Sequence, residues 1–341
     1  MRKGGSAVTV IDANHVISVS KLRKRFNLEA GFFAPLGSYV YAVNGISFCI
    51  GKNETYGLVG ESGCGKTTTA RLLVRMYEAD EGEILFRGRD AQNENQNVRG
   101  LKNYDLKRYR EKVKYIFQDP ARSLNPRMTV FEVLTSGTRW SINKSGEDLE
   151  KYLREEAAAI LEEVGLSASD LERRPAEFSG GQRQRISIAR GLIMKPDLLI
   201  CDEVVSALDV SIQGQILNLL LDLKSRREIS FLFIAHDLKV ASYFCDRIGV
   251  MYRGEIMEEG SADELWKNHH HPYTELLFSS VGGGKECMET SAREAPKPES
   301  LKVSGEGCAF ASRCPYAKDR CFTENPELKN AGEKHLVRCW R

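Results

Sequence analysis

A glycine-rich run that ends in lysine and threonine is the part of this sequence whose spacing most clearly predicts chemistry. It fits the pattern G-x-x-x-x-G-K-[ST] and lies between an apolar run and a helical pattern. Glycines let such a loop point its backbone NH groups inward, towards phosphate oxygens, and the following helix adds its positive end. The lysine reaches the β and γ phosphates and the threonine oxygen binds Mg²⁺. The candidate phosphate-binding residues are Gly60, Glu61, Ser62, Gly63, Cys64, Gly65, Lys66, Thr67 and Thr68.

Two adjacent carboxylates, Asp202 and Glu203, follow an apolar run at residues 198–201 that is typical of a buried strand. Ligands of open α/β sheets bind at the carboxyl ends of strands, so both side chains are expected near the phosphate loop. Asp202 would hold Mg²⁺, directly or through water, and Glu203 would be the general base that polarises an attacking water. Taken alone, the two acids could equally mark only the end of a strand.

A serine before a helical pattern is a third candidate anion site. Ser179-Gly180-Gly181-Gln182 leads into the helix-like stretch GQRQRISIARGLIM. Ser179 can cap a helix whose unpaired NH groups and dipole face an anion. A simple helix cap without a ligand is the alternative, because serine is common at that position.

The elements that must position these residues predict an α/β fold. Residues 147–164 combine strong helix formers with a 3.6-residue period, inside a stretch at 122–178 that predicts a helical insertion. Segments at 16–26 and 39–50 predict a small antiparallel layer beside the nucleotide site. Five short apolar runs fit strands of a parallel sheet covered on both faces. They are residues 55–59, 113–117, 198–201, 230–235 and 247–251.

Composition limits the class of protein. The chain has 341 residues, 49 Lys+Arg against 47 Asp+Glu, and 42% hydrophobic residues, which is typical of a globular protein of about two domains. No apolar run approaches the ~18 residues of a transmembrane helix, and the first residues lack the apolar core of a signal peptide, so a cytoplasmic location is expected. The balanced charge argues against a protein that binds nucleic acid through bulk electrostatics.

The end of the chain predicts a separate cysteine-rich element. Residues 281–306 are rich in Gly, Ser, Pro and charge and predict a linker. Residues 307–341 are too few to fold without cross-links or a metal. A reducing cytoplasm disfavours disulfides, and the absence of C-x2-4-C pairs disfavours zinc, so a four-cysteine iron–sulfur cluster is favoured over an uncoordinated tail with buried thiols. The cysteines are Cys308, Cys314, Cys321 and Cys339.

Six motifs in one order resemble those of the nucleotide-binding subunits of ABC transporters, over residues 16–280. Beside the three motifs above they include Gln118 after VKYIF, Ser206-Ala207-Leu208-Asp209, and His236 in FIAHDL. The segments IFQDPARSLNPRMTV and HPYTELL and the cysteine-rich end are similar, more narrowly, to the oligopeptide and dipeptide permease branch. Nickel importers and some oligosaccharide importers share that branch.

The resemblance implies a fold and a division of the chain. Residues 1–280 would form an ABC nucleotide-binding domain, with a P-loop NTPase core, an antiparallel β subdomain and a helical subdomain at about 122–178 that docks onto a permease. A linker and a small cysteine-rich extension, residues 307–341, would follow, and the extension would carry a [4Fe-4S] cluster. Val204 stands where the family usually has Pro, which removes no catalytic group.

The resemblance also implies roles for individual residues. Gln118 would sense Mg²⁺ and the γ phosphate, His236 would contact the γ phosphate, and Asp209 would couple the two sites of a dimer. Ser179, Gly180, Gly181 and Gln182 would act in trans, on ATP held by a second subunit. An aromatic residue would stack on adenine. Phe26 matches the usual position, Tyr39 and Tyr41 are rivals, and packing within a strand is the alternative for all three.

The expected function is that of an ATP-hydrolysing subunit of an ABC importer for oligopeptides or dipeptides, on the cytoplasmic face of the membrane. The expected partners are a second ATPase subunit, with a paralogue favoured, two membrane permease subunits and an extracytoplasmic solute-binding protein. Alternatives are an importer of nickel or oligosaccharides, and a soluble ABC ATPase that acts on ribosomes or DNA. A non-catalytic metal-binding module is a third class, against which the intact Glu203 and His236 argue.

Overall fold

The computed structural model describes residues 12–27, 39–89, 95–142, 144–281, 307–332 and 334–341. Its strands are β1 (His15–Asn27), β2 (Tyr39–Gly51), β3 (Thr55–Val59), β4 (Glu81–Phe86), β5 (Gln96–Asn97), β6 (Val113–Ile116), β7 (Leu198–Asp202), β8 (Ser230–Ala235), β9 (Arg247–Tyr252), β10 (Glu255–Ser261), β11 (Lys329–Gly332) and β12 (His335–Val337). Its α-helices are α1 (Lys66–Leu73), α2 (Asn103–Lys112), α3 (Pro120–Ser123), α4 (Val130–Thr135), α5 (Gly146–Glu163), α6 (Gly180–Leu192), α7 (Val210–Arg227), α8 (Leu238–Phe244), α9 (Ala262–Asn268), α10 (Pro272–Val281) and α11 (Asp319–Thr323).

The larger sheet has eight strands in the order β11-β12-β10-β9-β3-β8-β7-β6. The five strands from β9 to β6 pair in parallel. Every residue of β3, β7 and β8 is buried, because helices cover both faces and leave no solvent-facing side. The predicted α/β fold with a parallel sheet is confirmed, and the runs predicted at 55–59 and 230–235 match β3 and β8 at both ends.

The smaller sheet has four antiparallel strands in the order β2-β1-β4-β5. β1 and β2 are long, with 13 residues each, and lie along one another. Together they form the predicted antiparallel layer. The β2 strand contacts the larger sheet through its backbone. The Asn44 backbone NH donates to the carbonyl oxygen of Gly254, between β9 and β10, at 2.8 Å.

Helices fill the chain between β6 and β7. Thr129 and Glu132 form a capping box that starts α4, because each side chain accepts a hydrogen bond from the other's backbone NH. α5 buries Leu153, Ala157 and Ile160, spaced three and four residues apart, against the apolar core. No strand occurs in the described residues from 122 to 178, which agrees with the predicted helical insertion.

The longest helices of the described residues, α5 and α7, have 18 residues each. Both carry charged side chains along their length. Within the described part of the chain, no helix is long and apolar enough to cross a membrane.

The C-terminal segment docks on the larger sheet. β12 pairs with β10 and β11 pairs with β12, both antiparallel, so the segment adds two strands to the sheet. Phe310 is buried and its ring contacts Tyr252 and Tyr273 of the core. The predicted linker lies outside the described residues beyond the end of α10.

A buried carboxylate ties this segment to the core. Glu258 of β10 is fully buried and accepts hydrogen bonds from the backbone NH groups of His270 and His271, at 2.6 and 3.0 Å. His335 of β12 donates to the same carboxylate from Nε2 at 2.8 Å. One side chain therefore joins β10, the start of α10 and β12.

The neighbouring His271 is a neutral acceptor. Burial lowers the pKa of His271 to about 4, so the ring is uncharged near neutral pH. Its Nδ1 accepts a hydrogen bond from the Tyr273 backbone NH at 3.0 Å. This contact sets the first turn of α10 and hence the position of Tyr273.

Replacing Glu258 with Ala is expected to destabilise the protein by about 3 kcal/mol, because two backbone NH groups and a histidine lose their acceptor in the interior. Urea unfolding followed by circular dichroism measures this as a lower midpoint. Glu162→Ala, at an exposed position of α5, is the matched control and should change stability by no more than about 0.5 kcal/mol. Equal midpoints for the two variants would contradict the assigned role.

Candidate nucleotide-binding site

The candidate residues meet at one edge of the larger sheet. β3, β6, β7 and β8 are parallel neighbours, so their carboxyl ends lie at the same edge. The glycine-rich loop follows β3, Gln118 follows β6, Glu203 follows β7 and His236 follows β8. In sheets of this kind the carboxyl edge is where ligands bind.

Two glycines of the loop are required by close backbone contacts. A Cβ atom on Gly60 would lie 2.1 Å from the carbonyl oxygen of Met251. Gly65 has a φ of +112°, and a Cβ atom there would lie 2.0 Å from the carbonyl oxygen of Ala42. Side chains at either position would push the loop away from β2 and β9.

Lys66 lies across the loop. Its Nζ donates to the carbonyl oxygens of Gly60 and Glu61, at 2.7 and 2.9 Å, and the side chain is buried. Cys64 is buried below it, whereas Ser62 and Gly63 are exposed at the tip. The ammonium is therefore held where the loop's backbone groups converge. Thr68 lies in the first turn of α1.

Asp202 binds two side chains at the base of the site. Thr67 Oγ1 donates to Asp202 Oδ1 at 3.0 Å, and the Tyr115 hydroxyl donates to Asp202 Oδ2. Burial and the charge of Asp202 raise the pKa of Tyr115, which therefore stays protonated. Thr67 and Asp202 are the predicted Mg²⁺ ligands, and their oxygens lie side by side. Tyr115 was not singled out from the sequence, because it has the pattern of an ordinary strand residue.

Glu203 and Gln118 also contact each other. Gln118 Nε2 donates to Glu203 Oε2 at 2.6 Å, which fixes one carboxylate oxygen. Glu203 has a φ of +51°, a conformation that costs energy for a residue with a Cβ. Its backbone holds the turn, because its carbonyl oxygen accepts from the backbone NH and Oγ of Ser206. Val204, which stands where the family that the sequence resembles usually has Pro, is buried in this turn.

His236 is exposed and shares a small cavity with Glu203. The cavity has a volume of about 40 Å³ and lies at the ends of β7 and β8. Two of the predicted catalytic residues, Glu203 and His236, therefore line the same cavity. The following residue, Asp237, caps α8 by accepting a hydrogen bond from the Lys239 backbone NH at 2.7 Å.

The SGGQ segment forms the start of α6. Ser179 Oγ accepts from the Gln182 backbone NH at 3.3 Å, and Gln182 Oε1 accepts from the Ser179 backbone NH at 3.0 Å, which is a capping box. A Cβ atom on Gly181 would lie 2.8 Å from Ile212 of α7. The segment therefore lies beside Asp209, which is exposed just before α7. Ser179 is exposed as well.

The three candidate aromatic residues do not share one face of the paired strands β1 and β2. Phe26 pairs with Val40, so Phe26 points to one face and Tyr39 and Tyr41 point to the other. Phe26 contacts Tyr77 edge-on, with ring centroids 5.5 Å apart. Tyr39 and Tyr41 contact each other at 5.4 Å. Which of them stacks on adenine stays a prediction.

Glu61 of the loop contacts residues from the C-terminal part of the chain. The Tyr273 hydroxyl accepts a hydrogen bond from the Glu61 backbone NH at 2.9 Å. Arg313 donates to both carboxylate oxygens of Glu61, at 2.8 and 2.9 Å. Neither contact could be predicted from the sequence, because neither spacing nor periodicity links residues so far apart.

The four C-terminal cysteines line one cavity. Its volume is about 250 Å³. Burial and the three neighbouring cysteines raise the pKa of the Cys308 thiol to about 11. Among the described residues, no three His, Cys, Asp or Glu side chains converge closely enough to hold a single metal ion. The cysteines are Cys308, Cys314, Cys321 and Cys339.

Comparison with known proteins gives matches over both parts of the chain. Residues 43–206 match the family described as ABC transporter, and residues 257–321 match the family described as oligopeptide/dipeptide transporter, C-terminal region. The dimeric structure of MJ0796, described as a bacterial ABC transporter cassette, matches with a TM-score of 0.61 at 25% identity, covering 72% of this chain and 98% of that chain. The structure of cbiO1 from Clostridium perfringens has the same fold, with a TM-score of 0.61 at 24% identity, covering 75% of this chain and 92% of that one.

Relatives match over most of their length. The oligopeptide transport ATP-binding protein AppF of Bacillus subtilis is 40% identical over 97% of this chain and 99% of its own. The oligopeptide transport ATP-binding protein OppF of the same organism is 48% identical over 76% of this chain and 82% of its own. The predicted resemblance is thereby confirmed: the chain belongs to the ATP-binding subunits of ABC transporters, a family of ATPases.

Proposed function

We propose that this chain hydrolyses ATP to power the import of oligopeptides or dipeptides through an ABC transporter. The similarity to AppF along nearly the whole chain carries this proposal, because it includes the C-terminal region as well as the nucleotide site. The arrangement of Lys66, Asp202 and Glu203 supports ATP hydrolysis by the chain itself.

The phosphates would bind in the loop between β3 and α1. Backbone NH groups of the loop and the positive end of α1 attract the phosphate oxygens. Lys66 Nζ would exchange its contacts with the carbonyl oxygens of Gly60 and Glu61 for contacts with phosphate oxygens. The ammonium already lies at the loop, so this exchange needs no large movement.

The oxygens at the base of the site fit Mg²⁺, a hard cation that prefers oxygen ligands. Thr67, Asp202 and Gln118 would hold it, and the ion would neutralise charge on the phosphates. Glu203 would accept a proton from the attacking water. Gln118 donates to Glu203 Oε2, which leaves Oε1 available to accept from the water. His236, across the shared cavity, would contact the γ phosphate.

A second ATPase subunit would complete the site. Ser179 is exposed at the start of α6, where unpaired NH groups attract an anion, and Gly180, Gly181 and Gln182 surround it. We propose that this surface closes on ATP bound by the other subunit, with Asp209 beside it coupling the two sites. The dimeric cassette with the same fold supports such a pairing. We favour a paralogue as the partner.

The remaining partners would be those of an importer. Two membrane permease subunits would hold this chain at the cytoplasmic face of the membrane, and the helices within about 122–178 would dock onto them. An extracytoplasmic solute-binding protein would deliver the peptide. In this division residues 1–280 form the nucleotide-binding domain, 281–306 a linker and 307–341 the cysteine-rich extension.

We further propose that the cysteine cavity holds a [4Fe-4S] cluster. The donor set fits, since Cys308, Cys314, Cys321 and Cys339 all line one cavity. Among the described residues these thiols do not converge closely enough to hold a single metal ion, so the proposal rests on the four-cysteine donor set and on its spacing, which lacks the C-x2-4-C pairs typical of zinc sites. The cluster would stabilise the extension.

Glu203→Gln is expected to lower ATP turnover at least about 100-fold, because the amide cannot accept the proton of the attacking water. ATP binding should persist, so the closed dimer should accumulate. Phosphate release and size-exclusion chromatography of the assembled complex measure both effects. Glu162→Gln is the control, and normal turnover in the Glu203 variant would exclude this residue as the base.

Protein purified without oxygen is expected to be brown and to contain about four irons per chain, because four thiolates bind one cluster. Cys321→Ser should lose most of the iron and the colour. Cys49→Ser should keep both, since Cys49 lies in β2, outside the cavity. A colourless sample loaded with zinc would contradict the proposed cluster.

Uptake of labelled peptides, nickel and oligosaccharides by cells lacking this chain tests the transported solute. We expect peptide uptake alone to fall to background, because the other importers supply their own ATPase subunits. The wild-type chain should restore it, and Glu203→Gln should not. Loss of nickel or oligosaccharide uptake with normal peptide uptake would overturn the proposed substrate class.

A further inference from the structure

One ion pair connects the phosphate loop to the cysteine-rich extension. Arg313 Nη1 lies 2.8 Å from Glu61 Oε2, and Arg313 Nη2 lies 2.9 Å from Glu61 Oε1. The two residues are 252 positions apart in the sequence. A guanidinium that binds both oxygens of a carboxylate fixes its orientation as well as its charge.

Aromatic rings hold Arg313 in place. The guanidinium carbon lies 5.7 Å from the ring centroids of both Tyr252 and Phe310. Arg313 is only 21% exposed, whereas Glu61 is 41% exposed. The arginine is thus the fixed partner, and the glutamate is the side chain that it restrains.

Glu61 is held at its backbone by the same region. The Tyr273 hydroxyl accepts from its NH, and the Tyr273 ring packs on Phe310, with centroids 5.4 Å apart. Phe310 lies two residues after Cys308, and Arg313 immediately precedes Cys314. A short chain of contacts therefore leads from the cysteine cavity to the second residue of the phosphate loop.

The charge of Glu61 gives this contact a role in nucleotide binding. An unpaired carboxylate in the loop would repel the triphosphate, which carries several negative charges. Arg313 neutralises that carboxylate and turns it towards the extension. The loop then presents Lys66 and its NH groups to the phosphates without an opposing charge.

We propose that Arg313 is a positioning residue for the phosphate loop and that it couples nucleotide binding to the cysteine-bearing segment, residues 307–323. The inference rests on the proposed binding of ATP by the loop. Such coupling is reciprocal: if the segment changes the affinity of the loop for ATP, then ATP changes the stability of the segment by the same factor.

Affinity for Mg-ATP, measured with a fluorescent analogue, tests the first half of the proposal. Arg313→Ala should bind about tenfold more weakly, and Arg313→Lys should lie between it and the wild type, because it keeps the charge but loses the second hydrogen bond. Glu61→Gln should restore most of the affinity in the Arg313→Ala background. A purely structural role would not give this rescue. Arg320→Ala, in the same segment but bonded to Glu324, should bind normally.

Hydrogen exchange of the peptide spanning residues 307–323 tests the second half. Mg-ATP should slow exchange in the wild type and in Arg320→Ala, and should leave it unchanged in Arg313→Ala. Wild-type affinity in Arg313→Ala, or no rescue by Glu61→Gln, would overturn this inference alone. A wild-type protein that binds no ATP would overturn the proposed function as well. Circular dichroism identifies any variant that is unfolded.

Discussion

The buried carboxylate of Asp202 is the interaction on which the nucleotide site depends. It accepts hydrogen bonds from Thr67 and Tyr115, so one side chain joins the end of β7, the start of α1 and the middle of β6. Hydrogen bonds to a charge are strong when water is excluded. Glu203 is the next residue in the chain. Because Asp202 is held by these hydrogen bonds, the left-handed backbone of Glu203 begins at a residue whose position is well defined.

Much of the core could be predicted because its physical signals are local. Strands covered on both faces must be apolar throughout, which is why β3 and β8 match the predicted runs at both ends. The phosphate loop could be predicted because the spacing of its glycines, lysine and threonine is specific to loops that bind phosphate. The proximity of Thr67 and Asp202 follows from parallel strands that share a carboxyl edge.

The contacts that involve the C-terminal segment could not be predicted, because they depend on how distant parts of the chain pack. Arg313 has no distinguishing pattern in the sequence, and the packing of Phe310 against Tyr252 and Tyr273 brings it to Glu61. The burial of Glu258 could not be predicted either, since an acidic residue in a strand normally faces solvent. For Phe26, spacing matched a family position but left its face of the hairpin undetermined.

The pairing of β12 with β10 has a consequence for solubility. Six of the seven residues of β10 are buried, and without its C-terminal neighbour this strand would be a sheet edge with open hydrogen-bonding groups. The outermost strand is instead β11, which has four residues, all exposed, and begins with a lysine. A short, polar outer strand is a poor template for another chain. Proteolytic loss of the extension would uncover a strand prone to self-association.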